Sequence, residues 1–191
     1  MPILPVEPCM YPEDLLRTDE PGEVEADSER RWWCLHTKPR QEKAAARYLL
    51  NRRIEHYLPQ GLREGRTPGG RRVRSMVPLF DGYVFLRGDE HERVEALQGG
   101  QLVRVLEVAD QRGLIADLRQ IHQLISSGLP IASEPTHPVG SRVRIRDGPL
   151  AGLVGMVVRR ARRDQFVAIV RFLNRGVSVD LEDWQVERCG G

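Results

Sequence analysis

Basic side chains recur at helical spacing in residues 40–53 of this chain, whose sequence is RQEKAAARYLLNRR. The segment is rich in good helix formers and contains no glycine, so it is expected to be helical. One face of that helix carries four polar side chains: Arg40, Lys43, Arg47 and Asn51. Because ammonium and guanidinium groups bind phosphate oxygens, the pattern predicts either a nucleic-acid contact or a solvated helix face.

The spacing of the other reactive residues does not support catalysis or metal binding. The five histidines form no His-x-x-x-His or His-Glu-x-x-His pair: His36, His56, His91, His122 and His137. The three cysteines are far apart and form no Cys-x-x-Cys pair: Cys9, Cys34 and Cys189. The sequence also contains no nucleophile-elbow, phosphate-loop or dinucleotide motif. We therefore expect a protein that is not an enzyme, with no catalytic residue, no metal site and no cofactor.

Charge is divided unevenly along the 191 residues. The whole chain has a net charge of +2, but residues 1–29 hold nine acidic residues and one arginine, a net charge of −8. The remaining residues hold 28 basic and 18 acidic side chains, a net charge of +10. This division predicts an acidic, disordered tail over residues 1–29 in front of a basic body. The tail either competes with nucleic acid for the arginines of that body or only keeps the protein in solution.

The composition indicates a globular protein of the reducing cytoplasm. Apolar residues make up 40% of the chain, yet no apolar run is long enough to cross a membrane. The polar N-terminus does not resemble a secretory signal, and an odd number of cysteines does not suit a disulfide framework. We expect no membrane partner, and a monomer.

Residues 30–131 show an alternation of strands and helices. The predicted strands are Arg31–Thr37, Ile54–Pro59, Val73–Val77, Tyr83–Leu86 and Leu102–Val108, with a glycine-rich basic turn at Gly61–Arg72. The predicted helices are Arg40–Arg53, Asp89–Leu97 and a third helix with Leu114, Leu118, Ile121 and Ile125 on one side. This order predicts an α+β fold, in which a mostly antiparallel sheet carries its helices on one face.

Two of these strands have large apolar side chains on both faces. Trp32 and Trp33 are neighbours on the first strand, and Tyr83 and Phe85 share a face opposite to Val84. Helices cover only one face, so the other is expected to expose an apolar patch for a protein partner. The alternative is that the N-terminal tail or the second domain covers this patch.

The C-terminal part of the chain has no helical pattern. Residues 132–138, with two prolines, are predicted to be a linker, and residues 139–189 to form a small all-β barrel of five short strands. Four turn-forming residues lie between its first strands: Gly148, Pro149, Gly152 and Gly155. We expect these glycines at turns that require a positive φ or a close backbone approach.

The segment VGSRVRIRDGPLAGLVGMV resembles a KOW motif, and the chain as a whole resembles the NusG family of transcription factors. Independently, WWCLHTKPRQEKAA is similar to the first strand and helix of that family. PLFDGYVFLRG is similar to its Pro-x-Phe-Pro-Gly-Tyr segment, with Asp81 in place of the usual proline. Within the family, Lys38–Glu42 resembles the specialised, RfaH-like paralogues. The resemblance implies an N-terminal NGN-like domain at residues 30–131 and a KOW domain at residues 139–189.

The resemblance also implies partners for both domains. The N-terminal domain would bind the clamp helices of the largest subunit of RNA polymerase and modulate pausing, termination or antitermination. The implied polymerase-binding residues are Trp32, His36, Phe80, Tyr83 and Phe85. The residues implied to contact the non-template DNA strand are Lys38, Arg40, Gln41, Lys43 and Arg47. The KOW domain would recruit a ribosomal protein or Rho, while nothing in this sequence matches the family's His-Thr-Thr-Thr contact to the polymerase gate loop.

An RNA-binding protein is the alternative interpretation. Small KOW barrels with basic loops also occur in ribosomal proteins, and this chain has four arginines at one hairpin tip: Arg159, Arg160, Arg162 and Arg163. A ribosome-associated or generic RNA-binding KOW protein, however, does not need a second apolar sheet face.

Overall fold

The computed structural model describes residues 9–17, 29–66, 68–134, 140–160, 163–180 and 186–188. These residues form two compact units. The first contains the described residues up to Pro59 together with Asp81–Gln111, and the second contains Gln60–Phe80 and the described residues from Arg112 onward. No described helix is long and apolar enough to cross a membrane.

The first unit is a five-stranded antiparallel sheet with two helices. Its strands are β1 (Met10–Tyr11), β2 (Arg31–Thr37), β3 (Glu55–Tyr57), β6 (Tyr83–Gly88) and β7 (Leu102–Glu107), and its helices are α1 (Glu42–Asn51) and α2 (Glu90–Gln98). The strand order is β1-β3-β6-β2-β7. The core lies on the helical side, where Leu35 and Val84 of the sheet cluster with Leu49 of α1 and Ala96 of α2. The predicted α+β fold is confirmed.

A local signal sets the start of α2, whereas α1 begins without a side-chain cap. In α2, the Asp89 side chain accepts the N–H of Glu92 and the Glu92 side chain accepts the N–H of Asp89, a reciprocal capping box. The prediction for α1 was less accurate, because the helix begins at Glu42 instead of Arg40. Arg40 has a φ of 61°, which a right-handed helix cannot contain. Arg40 therefore lies in a turn before the helix.

The N-terminal segment Cys9–Arg17 is ordered, contrary to the predicted disordered tail over residues 1–29. Strand β1 pairs with β3, and the Leu58 N–H donates to the Cys9 carbonyl over 2.6 Å. Met10, Leu15 and Leu16 are buried, and burial of such side chains stabilises a fold by about 1.5–3 kcal/mol each. The net charge of residues 1–29 gave no indication of this segment, because its three buried apolar residues lie among many acidic ones. Residues 1–8 and 18–28 lie outside the described residues.

The second unit contains two sheets and one helix. Strands β4 (Gln60–Arg66) and β5 (Arg72–Pro78) form a two-stranded ribbon. Strand β5 contains the predicted strand Val73–Val77, while β4 lies where the sequence predicted a turn. The larger sheet has six strands: β8 (Ile131–Glu134), β9 (Ser141–Ile145), β10 (Val154–Arg160), β11 (Arg163–Val170), β12 (Arg175–Asp180) and β13 (Val186–Arg188). Their order is β13-β9-β10-β11-β12-β8, and the two end strands are not paired with each other among the described residues.

Strand β8 lies where the sequence predicted the start of a linker. Residues 132–134 pair with β12, and Glu134 is buried, so this part of the predicted linker belongs to the sheet. Two nearby prolines favoured a linker, but β12 offers an open edge that residues 131–134 extend. Residues 135–138 lie outside the described residues.

Helix α3 (Gln111–Ser126) packs within the second unit, although the sequence assigned it to the N-terminal domain. Three of the four residues predicted for its apolar side are buried: Leu114, Leu118 and Ile121. The fourth, Ile125, is half-buried, and Leu124 is buried beside it. The buried Asp117 carboxylate accepts the Arg171 N–H over 2.9 Å, and an Arg171 guanidinium nitrogen lies 3.1 Å from it. These bonds join the helix to the end of β11.

Burial keeps His56 neutral and makes the stability of the first unit depend on pH. The ring Nδ1 donates to the Ile54 carbonyl over 2.9 Å, and burial lowers the pKa of His56 below the ordinary 6.5. Below about pH 6.5 the unfolded chain binds a proton at His56 that the folded chain does not bind. The free energy of unfolding therefore decreases as the pH is lowered. We expect the free energy of unfolding to decrease by up to about 1.4 kcal/mol for each pH unit.

Urea unfolding at pH 7.5 and at pH 5.5 measures this decrease. The decrease should be smaller for His56→Phe than for the unmodified protein, because the variant has no imidazole to protonate. His91→Gln, at an exposed position, is the control and should show the same decrease as the unmodified protein.

Candidate functional site

The turn before β6 is tied to both β2 and α1. Gly82 has a φ of 84°, its N–H donates to Glu42 Oε1 over 2.8 Å, and its carbonyl accepts the Thr37 N–H over 2.9 Å. Glu42 is buried, so its carboxylate is committed to this bond. These hydrogen bonds hold the start of β6, which carries Tyr83 and Phe85, beside the end of β2, which is followed by Lys38.

One face of the first sheet brings together most of the predicted aromatic residues. The strand register places Cys34 opposite Phe85, Phe85 opposite Tyr57, and His36 opposite Tyr83, so these side chains lie on the side away from α1 and α2. Trp32 shares this side of β2. We call the set Trp32, Cys34, His36, Tyr57, Tyr83 and Phe85 the aromatic face.

The aromatic face is mostly buried, which corrects the expectation of an exposed apolar patch. Phe85 is 0% exposed and Trp32 is 3% exposed. His36 and Tyr83 are half-buried and stack with ring centroids 5.3 Å apart. Phe80 is 1% exposed and belongs to the second unit. A patch of this size is costly to leave in water, so the free chain buries most of it.

Burial also removes any reactive thiol from the aromatic face. It raises the pKa of Cys34 to about 12 and raises the pKa of Cys9 above its ordinary value. The pKa of Tyr57 is raised well above 10.0, chiefly by burial. All three groups are therefore neutral at physiological pH, and a thiol is a nucleophile only as its thiolate. Among the described residues, no group of His, Cys, Asp or Glu is arranged to hold a metal ion.

The predicted DNA-contacting residues follow one another from the end of β2 into α1. Lys38, Arg40 and Arg47 are exposed, while Gln41 and Lys43 are half-buried. Lys38 Nζ donates to the Gly100 carbonyl over 2.7 Å, which orients its side chain across the turn. Because Arg40 lies outside the helix, only Lys43 and Arg47 keep the helical spacing. We call these five residues the basic turn.

A second basic surface was not recognised as a structured element from the sequence. The ribbon of β4 and β5 carries five exposed arginines: Arg63, Arg66, Arg71, Arg72 and Arg74. Arg74 donates to the Glu64 carboxylate over 2.8 Å, and Arg66 lies opposite Arg72. Glycine and arginine, which dominate residues 61–72, are weak strand signals, so the sequence indicated a turn in place of β4 and a strand only at Val73–Val77.

The glycines of the C-terminal motif have the geometry that the sequence predicted. Gly148 and Gly152 have φ values of 79° and 89°. A Cβ on Gly155 would lie 2.7 Å from Phe166 Cζ and would also overlap the Val167 carbonyl oxygen. Turn formation and close strand packing therefore require these three glycines.

The sequence profile described as "Transcription termination factor nusG" matches residues 30–137, which is more than half of the chain. The chain belongs to the NusG family. The match covers both the basic turn and the aromatic face of this NusG-family protein, as well as the ribbon. It ends before the glycine motif at Gly148–Gly155, so the KOW assignment stays a prediction.

Comparisons of the whole NusG-family chain are less informative. No curated protein sequence matches it. A structure titled "Domain interaction in Thermotoga maritima NusG" is similar, with 16% identity, a TM-score of 0.49, and coverage of 85% of this chain and 99% of that one. A structure of the "MjSpt4:Spt5 complex" has 14% identity, a TM-score of 0.27, and coverage of 82% and 98%. At these values, the two similarities carry no functional argument, and the family assignment depends on the sequence match.

Proposed function

We propose that this protein is a cytoplasmic transcription elongation factor that binds RNA polymerase through its first unit and modulates pausing and termination. The observation that carries the proposal is the family match over residues 30–137, which spans the basic turn and the aromatic face. Family membership supports a binding role without catalysis. The Lys38–Glu42 segment supports the narrower proposal of an RfaH-like, antiterminating member.

The polymerase contact is proposed to be the aromatic face, and its partner to be the clamp helices of the largest subunit. The resemblance adds Phe80 to the proposed contact residues, although Phe80 belongs to the second unit. His36 and Tyr83 are the accessible part of this surface, because both are half-buried and stack on each other. Aromatic side chains that become fully buried by a partner supply much of the binding energy of protein interfaces. Contact with Trp32, Phe80 or Phe85, which are buried, requires that their cover is first removed.

The basic turn is proposed to contact the non-template DNA strand beside the polymerase. Its exposed cations supply salt-sensitive attraction to phosphates, and Gln41 at the start of α1 can bond a base edge. The C-terminal strands are proposed to be a KOW domain that recruits a ribosomal protein or Rho. The glycine geometry of residues 148–155 supports this assignment.

Substitution of the stacked pair tests the polymerase contact. We expect His36→Ala/Tyr83→Ala to weaken binding to purified RNA polymerase by about 2 kcal/mol or more, roughly thirtyfold, because neither ring can then pack against the partner. Biolayer interferometry measures the affinity, and circular dichroism confirms the fold. His91→Ala, at an exposed position of the same unit, is the matched control and should bind normally. If the unmodified protein, the double variant and the control bind with equal affinity, the aromatic face is not part of the polymerase interface.

Salt dependence tests the DNA contact. Changing Lys38, Arg40, Lys43 and Arg47 to glutamine should reduce the slope of log affinity against log salt by about 0.7 for each phosphate that the variant no longer neutralises. The measurement is fluorescence anisotropy on a scaffold with an exposed single strand. The control replaces four exposed arginines that lie outside the basic turn: Arg53, Arg104, Arg112 and Arg119. If both variants change the slope equally, the basic turn has no special role.

RNA binding by the second unit is the alternative function. Arg142, Arg144 and Arg146 are exposed on or beside β9, which supports a cationic surface there. The sequence suggested this function through four hairpin-tip arginines: Arg159, Arg160, Arg162 and Arg163. Their side chains lie outside the part of the structure that is described. Co-purification with ribosomes instead of polymerase favours the alternative.

A further inference from the structure

The docked N-terminal segment Cys9–Arg17 continues the sheet at its β3 edge. Met10 pairs opposite Tyr57 and Tyr11 opposite His56, with the Tyr11 and His56 rings stacked 6.4 Å apart. Two turns then fold the segment back, with the Leu15 N–H donating to the Pro12 carbonyl over 3.1 Å and the Arg17 N–H donating to the Asp14 carbonyl over 2.7 Å. The segment is therefore a defined element with its own hydrogen bonds.

The register places this segment at the margin of the aromatic face. Directly opposite residues of antiparallel strands have their side chains on the same side, so Met10 lies on the side of Tyr57, and Tyr57 on the side of Phe85. Met10, Leu15 and Leu16 are buried, while Glu13 and Asp14 are exposed. The segment thus has an apolar side toward the unit and an acidic side toward water.

We propose that residues 9–17 are an intramolecular cover, paired to the edge of β3 at the margin of the aromatic face, which RNA polymerase displaces when it binds. The inference rests on the proposed function of the aromatic face. Release of the segment would open the margin of the aromatic face at Tyr57, the residue that Met10 faces. Only two residues of β1 pair with the sheet, so its release breaks few backbone hydrogen bonds.

A reversible crosslink tests the proposal within one protein. Directly opposite residues of an antiparallel pair have Cα atoms about 4.5–5.5 Å apart, which suits a disulfide. Tyr11→Cys/His56→Cys, with Cys9→Ser and Cys189→Ser to prevent mispairing, locks the cover when oxidised. Cys34 is fully buried and is left unchanged. We expect the oxidised form to bind polymerase at least tenfold more weakly than the reduced form, with the original affinity restored by dithiothreitol.

A release variant tests the opposite direction. Leu15→Asp/Leu16→Asp detaches the cover while keeping the full chain. This variant should bind polymerase at least tenfold more tightly, because three buried anchors leave at most about one molecule in ten uncovered at equilibrium. Glu13→Gln/Asp14→Asn changes only exposed charges and is the matched control, expected to bind normally.

The outcomes separate this inference from the proposed function. Equal affinity of the oxidised and reduced forms, both binding polymerase, overturns the cover and leaves the proposed function standing. Tighter binding by the oxidised form also overturns it, because the docked segment would then be part of the interface. Absence of polymerase binding by every form, the unmodified chain included, overturns the proposed function and the cover together.

Discussion

Replacing Phe85 with alanine is expected to lower the free energy of unfolding by about 3–5 kcal/mol, the usual loss for a buried phenylalanine. Phe85 is 0% exposed and lies between Cys34 and Tyr57 in the strand register, so the shortened side chain leaves a cavity inside the sheet packing. Urea unfolding followed by circular dichroism measures the loss. Since Val84 and Leu86 are equally buried, both sides of β6 are core in the free chain.

Tyr83→Ala is the matched control, two residues away on the same side of the same strand. Tyr83 is half-buried and its ring stacks on His36, so its removal should lower the free energy of unfolding by about 0.5–1.5 kcal/mol. The sequence placed both aromatics on one exposed apolar patch, which predicts that replacing either of them leaves the fold intact. A small, equal loss of stability in the two variants would restore that prediction and contradict the buried position of Phe85.

Gly155→Ala is expected to destabilise the second unit by about 1–3 kcal/mol, or more if the strands cannot separate. The added methyl group meets the Val167 backbone oxygen and the Phe166 ring, and a paired backbone cannot move aside as a flexible side chain can. Chemical denaturation gives the size of the effect. Hydrogen exchange should locate it, with faster exchange in β10 and β11 than in the first unit.

Gly65→Ala provides the control for this substitution. Gly65 also lies in a strand, does not have a positive φ, and has no atom within 4 Å of the position of an added Cβ. Its replacement should leave stability within about 0.5 kcal/mol of the unmodified chain, as is usual for surface positions. If Gly155→Ala is equally neutral, the close approach of β10 and β11 is not needed for folding.

The sequence by itself determined the features that depend on a few neighbouring residues. Asp89 indicated the start of α2, and the spacing of Leu114, Leu118 and Ile121 indicated the buried side of α3. Caps and apolar periodicity are local, since each is set within one or two helical turns. The α+β fold and the family could be inferred from such signals, because they follow from the order of the elements and from short motifs.

Only the tertiary structure decided which apolar surfaces stay covered and which elements form separate units. The alternation in β6 showed two apolar sides but could not show that Phe85 would be buried without a partner. Likewise, Met10, Leu15 and Leu16 in their acidic segment did not indicate that Cys9–Arg17 pairs with β3. Nor did the sequence show that Asp117 and Arg171 would join α3 to the second unit. The physical reason is that burial depends on which distant segment reaches a surface, and that competition is settled by the packing of the whole chain.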